Sequence, residues 1–209
     1  MGMIMMADLI KNTTSKTLDN YAKDNFYTPL GLIHTGFNPW KTFPESQAAP
    51  TEEDTYFRNQ KIQAYVHDMG AAMLGGVSGH AGLFSTANEL AVIMQMLLNK
   101  GNYGGQQYLT PETVRFFTSR QGGSTRRGLG WDMKEIGSGK PANMSKDAPN
   151  ATFGHSGFTG NIAWADPENN ILFIFLSNRT YPTMENNKIS DGNYRPQIQS
   201  IIYEALKKQ

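Results

Sequence analysis

The chain of 209 residues contains no cysteine. That absence excludes disulfides, thiol nucleophiles and zinc sites built on thiolate. It does not fix a compartment, because a cysteine-free chain suits the cytoplasm and the periplasm equally. Charge of one sign is also missing: 19 basic side chains face 18 acidic ones, for a formal net charge of +1. Without a long-range field, nucleic acid and anionic membrane surfaces are poor partners. No apolar run approaches the roughly 18 residues that a membrane span needs. The N-terminal Met1-Gly-Met-Ile-Met-Met-Ala-Asp8 is apolar but short, with no basic segment before it, and does not read as a signal peptide. No Gly-x-Ser-x-Gly elbow, no His-Glu-x-x-His and no phosphate-binding loop occurs. The four histidines, His34, His67, His80 and His155, lack metal-ligand spacing, so no metal and no cofactor is expected.

What is present has the length of one domain, 1–209, with 39% hydrophobic residues and enough chain for a core. The N-terminus reads as a helix entered in mid-course, with Met3, Met6, Ala7 and Ile10 on one stripe. Thr17 is placed to cap a helix over Leu18–Phe26, closed before Pro29 and Gly31. Residues 36–59, broken by Pro39, Pro44 and Pro50, read as a long ordered loop. Thr86-Ala-Asn-Glu89 is a capping box for a helix whose apolar face is Leu90, Ile93, Met94, Leu97 and Leu98, ended by Gly101. Thr110-Pro111-Glu112 opens another helix. Gly128–Met133 reads as a strand, 137–150 as a polar loop, and 160–165 and 171–177 as two strands around the turn Asp166-Pro-Glu-Asn-Asn170. Tyr194–Lys207 closes the chain as an amphipathic helix. Helices, then an antiparallel meander, then a helix make an α+β layout.

Five short segments occur in an order that carries a resemblance. They are Pro29-Leu-Gly-Leu32, Gly79-His-Ala-Gly-Leu-Phe-Ser-Thr86 with Glu89-Leu90, Thr110-Pro-Glu112, Gly128-Leu-Gly-Trp131, and Gly154-His155-Ser156-Gly157 before a Trp164-containing strand. Together the chain resembles the C-terminal portion of the serine β-lactamase, penicillin-binding protein and esterase superfamily. The resemblance implies a partial β-lactamase/transpeptidase-like fold, with a sheet of about three strands and with the N-terminal strands and nucleophile helix absent. It implies that His155 and Ser156 line the active site, His155 as a proton-bearing group and Ser156 as a hydroxyl for a substrate carboxylate or carbonyl, with Gly157 and Phe158 beside them at the substrate. These residues are expected to share a cleft with the loops around 38–60 and 75–82, where His80 has an architectural part.

Two departures stand out. No serine has a lysine three places on, so the family's Ser-x-x-Lys nucleophile motif is missing. No tyrosine has Asn or Asp two places on, so the Tyr-x-Asn motif is missing too. The expectation is therefore a C-terminal fragment, itself inactive, of a bacterial hydrolase acting on an ester, a D-Ala-ended peptide or a β-lactam. Histidine in place of the usual lysine at 155 points away from a β-lactamase and towards an esterase or peptidase. A peptidoglycan-type or other small-molecule substrate, and a periplasmic or cell-envelope location for the parent, follow from the resemblance alone. The alternative is a non-catalytic binding or accessory domain that keeps the fold. The strand 171–176, apolar on both faces, is expected to have lost a neighbour and to join copies of the chain into a homo-oligomer.

Overall fold

The computed structural model describes residues 2–122, 126–137 and 144–208. It is an α+β structure whose chain forms two compact units: one of residues 1–89 and 178–186, the other of 90–177 and 187–209. No described helix is long and apolar enough to cross a membrane.

The first unit opens with α1 (Gly2–Thr14) and α2 (Leu18–Ala22), which runs on through a π-helical turn, Lys23–Tyr27. Thr17 takes the extended backbone of an N-cap, but its hydroxyl accepts from the Asn20 side-chain amide (2.9 Å) instead of a backbone N–H. The wide turn closes with the Thr28 N–H on the Lys23 carbonyl at 2.9 Å, and the chain then exits through buried Leu30 and Leu32. The half-buried side of α1 shares Ala7 and Ile10 with the expected stripe but not Met3 and Met6. Ile4, Ala7, Ile10 and Thr14 are half-buried, whereas Met3 and Met6 are about half exposed. A 3.6-residue repeat of apolar residues on several sides of a helix does not by itself choose the inward face.

The stretch 36–59 is not a loop. It contributes β1 (Gly36–Phe37), β2 (Pro50–Asp54) and two 3₁₀ turns, and β2 pairs antiparallel with β3 (Gln60–Gln63). The hairpin is built around buried charge. Asp54 accepts from the backbone N–H groups of Tyr56, Phe57 and Arg58 and from the Arg58 side chain at 2.9 Å. Arg58 in turn donates to the carbonyls of Val66 and His67, both at 2.7 Å. Burial alone would raise the Asp54 carboxyl, but these donors outweigh it and hold the group well below the carboxylate range. Glu52, 1% exposed, accepts from Tyr56 Oη (2.8 Å), His67 Nε2 (2.9 Å) and the Met184 N–H (3.1 Å).

Met184 comes from a late segment that returns to this unit. Along it Thr180 Oγ1 donates to the Thr51 carbonyl (2.8 Å), the Glu53 N–H to the Pro182 carbonyl (2.9 Å) and the Asn178 amide to the Pro50 carbonyl. The unit continues through α3 (Met69–Met73) and β4 (Leu83–Phe84), the latter paired with β1.

The second unit begins within α4 (Ala87–Leu98), which buries Met94, Met96 and Leu97. At its start the capping box is half made: the Glu89 N–H donates to Thr86 Oγ1 at 3.2 Å, but the Glu89 carboxylate is engaged elsewhere. Gly101 ends the helix at φ +88, packed so closely on the Leu109 carbonyl that no side chain would fit. A two-residue hairpin, β5 (Asn102–Tyr103) with β6 (Gln106–Gln107), leads to α5 (Pro111–Phe117), capped as expected by Thr110 through the Thr113 N–H.

The central sheet follows: β7 (Asp132–Met133), β8 (Phe153–Ser156), β9 (Ile162–Asp166) and β10 (Ile171–Phe175), all antiparallel in the order β10-β9-β8-β7. That is one strand more than the three expected, because His155 and Ser156 lie within a strand of their own. The helices α6 (Lys188–Asp191) and α7 (Tyr194–Leu206) complete the unit.

Its core is Met144, Ala148, Ile162, Trp164, Phe173 and Tyr203. Met144 and Ala148 come from the expected polar loop, of which 138–143 lie outside the described residues. Met144, Ser145 and Ala148 turn inward, because the Ser145 N–H donates to Gln199 Oε1 of α7 (2.8 Å) and Ser145 Oγ meets Ser200 Oγ at 2.7 Å, whereas Lys146 and Asn150 stay exposed. Tyr203 Oη donates to Asp166 Oδ2 at 2.7 Å, and burial together with that carboxylate raises the phenol.

Candidate active site

The sheet register decides where the His-Ser-Gly segment points. In an antiparallel ladder directly paired residues share a face. Ser156 pairs with Ile162, and Gly154 with Trp164, on the face that holds the α7 core. His155 pairs with Ala163, whose partner on β10 is Ile174, on the opposite face. Gly154 has no alternative at its position: a side chain there would run into the Ala163 carbonyl and the Trp164 ring. The close approach seats Trp164 beneath β8 and fixes the two residues that follow.

His155 and Ser156 are both exposed. The neighbour β7 covers β8 only at Phe153 and Gly154, so the two site residues extend past it. His155 Nδ1 lies 2.8 Å from the Ser156 carbonyl oxygen. A carbonyl can only accept, so Nδ1 carries the hydrogen. In the neutral ring Nε2 is then the basic nitrogen, directed away from its own backbone.

The segment beyond is a tight turn. The Gly157 N–H donates to the Asn161 carbonyl (2.7 Å), the Gly160 N–H to the Gly157 carbonyl (3.0 Å), and Gly160 takes φ +103. Asn161 Oδ1 also accepts from the Ser177 N–H (2.7 Å), which ties the turn to the end of β10. Phe158 is 61% exposed at the tip of this turn. The four residues predicted from the sequence therefore follow one another along one strand end and its turn, with the His155 and Ser156 side chains on opposite faces of the sheet. The loops 38–60 and 75–82 expected beside them belong to the first unit.

In that unit His80 stands in a constellation that the sequence did not reveal. Ser78 Oγ and His80 Nδ1 are 2.8 Å apart, and His80 Nε2 is 2.9 Å from Asp68 Oδ1. The order serine, histidine, aspartate is that of a hydrolytic relay. Its surroundings make it a fastening instead. Ser78 is 3% exposed, the same Asp68 oxygen caps α3 through the Ala71 N–H (2.7 Å), and Gly79 is pressed against the Met3 carbonyl of α1. Burial raises the Asp68 carboxyl, and the Ala71 N–H and His80 more than compensate, leaving it lowered.

Glu89 does the same for the other end of this stretch. It accepts from the backbone of Ile33 and His34, from the His34 ring (3.1 Å) and from Thr35 Oγ1 (2.6 Å), and despite its burial its carboxyl is lowered. The family-like segment from Gly79 to Glu89 is thus fastened near both ends, by His80 on Asp68 and by Glu89 on residues 33–35. No cluster of three or more His, Asp or Glu that could hold a metal ion occurs among the described residues.

Comparison with known proteins places this arrangement. The family model described as Beta-lactamase matches residues 1–192. The chain belongs to the β-lactamase family of serine hydrolases and penicillin-binding-protein-like enzymes. Among curated proteins it is 37% identical over 190 residues to one from Escherichia coli O157:H7, provisionally named a D-alanyl-D-alanine carboxypeptidase, covering 85% of this chain and 44% of that protein. A similarly named protein of Salmonella newport is 36% identical over 199 residues, covering 90% of this chain and 46% of that one. The chain spans under half the length of these relatives.

Solved structures share the fold. A β-lactamase from Mycobacterium bovis matches with a TM-score of 0.58 at 18% identity, over 91% of this chain and 62% of that one. A simvastatin synthase variant from Aspergillus terreus matches with a TM-score of 0.60 at 16% identity, over 99% of this chain and 54% of that one.

Proposed function

We propose that this chain is the C-terminal part of a serine hydrolase that cleaves D-alanyl peptides or related esters through an acyl-serine. In this reading the nucleophile and its lysine come from outside these 209 residues, and the 209-residue chain alone is inactive. His155 supplies the third motif. Its Nδ1–H is committed to the Ser156 carbonyl, which leaves Nε2 to hold or pass a proton at the substrate. Gly157 and Phe158 border the acyl group, and Ser156, whose side chain is on the other face of the sheet, serves through the carbonyl that orients His155. The observation that carries the reading is the pairing of an exposed His155, oriented by its own strand, with a strand end that β7 leaves uncovered. The naming of the bacterial relatives as D-alanyl-D-alanine carboxypeptidases favours a peptide of the cell wall as substrate, and with it an envelope location.

The test is release of D-alanine from a D-alanyl-D-alanine-ended peptide by the product of the longer reading frame. Saturable release supports the assignment. Hydrolysis of p-nitrophenyl acetate with no D-alanine release would move the assignment to an esterase. Absence of both would favour an accessory domain.

The outer side of β10 has no strand paired to it among the described residues. Its sequence, Ile-Leu-Phe-Ile-Phe, carries no charge to discourage pairing. The 209-residue chain is expected to self-associate through this edge, and Ile174→Lys is expected to return it to a monomer. Light scattering after size exclusion reads both. A monomeric parent chain at high concentration would show that the edge is protected in some other way.

A further inference from the structure

The first unit contains a shallow groove of about 250 Å³ that the proposed chemistry does not use, lined by Trp40, Gln60, Lys61, Ile62, Gln63 and Tyr65. We propose that it binds a single pyranose ring, best an acetamido sugar, by stacking on Trp40 and Tyr65.

Rigidity is the first argument. Trp40 sits on the 3₁₀ turn Pro39–Lys41, which begins at buried Asn38. Asn38 has φ +51, and its amide donates to the Gly75 carbonyl at 2.8 Å. The turn closes with the Lys41 N–H on the Asn38 carbonyl at 3.0 Å. The indole is nonetheless 54% exposed, with the flexible Lys41 ammonium 5.5 Å from its centroid. A large aromatic ring held in water by an anchored turn gains area when a ligand covers it, and loses little side-chain entropy in doing so. Tyr65 is equally fixed: its hydroxyl donates to the Ala72 carbonyl (3.1 Å), and its ring packs so closely on Gly76 that a side chain there would collide with it.

The polar lining is the second argument. Gln63 uses its amide N–H groups on the Glu45 and Ala48 carbonyls (3.2 and 2.7 Å), which leaves Oε1 as an acceptor. Gln60 and Lys61 are exposed and supply donors, and no carboxylate lines the groove. A pyranose presents an apolar C–H face to an aromatic ring and hydroxyls around its rim. An acetamido group adds one carbonyl acceptor and one N–H donor. Aromatic faces, donors and one fixed acceptor match that pattern.

Size is the third. Sites for drug-sized molecules hold roughly 300–1,000 Å³. This groove is below that range and suits one ring of a longer chain.

The proposal does not rest on the reaction assigned to His155, and its test does not use that reaction. Chitotetraose is titrated into the 209-residue chain, with calorimetry and tryptophan emission as readouts. Of the three tryptophans, Trp164 is 1% exposed and Trp131 is half-buried in the second unit, so the change in emission is assigned to Trp40 by its loss in Trp40→Ala. Saturable binding is expected, weakened about tenfold or more by Trp40→Ala and several-fold by Gln60→Ala, and unchanged by His155→Ala. Both groove substitutions are at exposed positions, and circular dichroism checks that each variant stays folded. Absence of saturable heat with the parent chain overturns the proposal. So does a folded Trp40→Ala variant that binds as tightly as the parent.

Discussion

Asp54→Ala should destabilise the first unit by about 3–5 kcal/mol, the cost of removing one partner of a buried ion pair. The carboxylate accepts four hydrogen bonds, three of them from consecutive backbone N–H groups and one from Arg58. Without it, the guanidinium stays largely buried beside the Val66 and His67 carbonyls with no counter-charge. Denaturation in urea followed by circular dichroism measures the loss.

The same residue sets a pH dependence. Its folded carboxyl lies below the ordinary value of 3.8, so its contribution to stability is fully present above that pH. The contribution is lost as pH falls through the folded value. The parent should therefore lose stability below about pH 4, with a flatter acid limb in Asp54→Ala. Equal stability of the two proteins at neutral pH would mean that the hairpin is held by β2–β3 pairing alone.

The second large effect concerns catalysis. In the product of the longer reading frame, His155→Ala should lower kcat/KM for the D-alanyl substrate by about 10²–10⁴-fold, the usual worth of a positioned acid–base group. His155→Lys should recover part of that activity, because a lysine can supply the proton-bearing group but not a ring oriented by the Ser156 carbonyl. An unchanged kcat/KM in His155→Ala would remove the residue from the chemistry and leave it a strand-end side chain bonded to its own backbone.

Much of the second unit was legible in the sequence. The caps at Thr86 and Thr110 and the glycine at 101 set the bounds of α4 and α5. The apolar runs on both sides of Asp166-Pro-Glu-Asn-Asn170 set β9 and β10. These signals are local, and the chain obeys them. The first unit was harder to read for a physical reason. Its hairpin is Pro-Thr-Glu-Glu-Asp paired with Gln-Lys-Ile-Gln, residues that seldom form strands and would ordinarily be solvated. They form one here because Glu52 and Asp54 are satisfied by donors from Arg58, His67 and Met184, 4 to 132 residues away in the chain. No periodicity reports such partners. The inward turn of Met144 and Ala148 has a similar origin in Gln199 and Ser200 of a helix some 55 residues on.

At the candidate site, the residue types and their order pointed to His155, Ser156, Gly157 and Phe158. The ring orientation of His155 came only from the strand register and from the carbonyl beside it. The Ser78–His80–Asp68 fastening was invisible because Asp68 is separated from the other two by α3. Asp68 just before Met69-Gly-Ala-Ala-Met73 is a legible N-cap signal and could have placed it at the start of a helix.

The central claim is that the chain carries the fold and third motif of an acyl-serine hydrolase but not its nucleophile. The most direct measurement is mass spectrometry of the intact 209-residue chain after incubation with benzylpenicillin, beside the product of the longer reading frame. The shorter chain should keep its mass, and the longer product should gain one penicilloyl group on a serine outside these 209 residues. A stable acyl adduct on any serine of the 209 residues, Ser78 or Ser156 above all, would contradict the account.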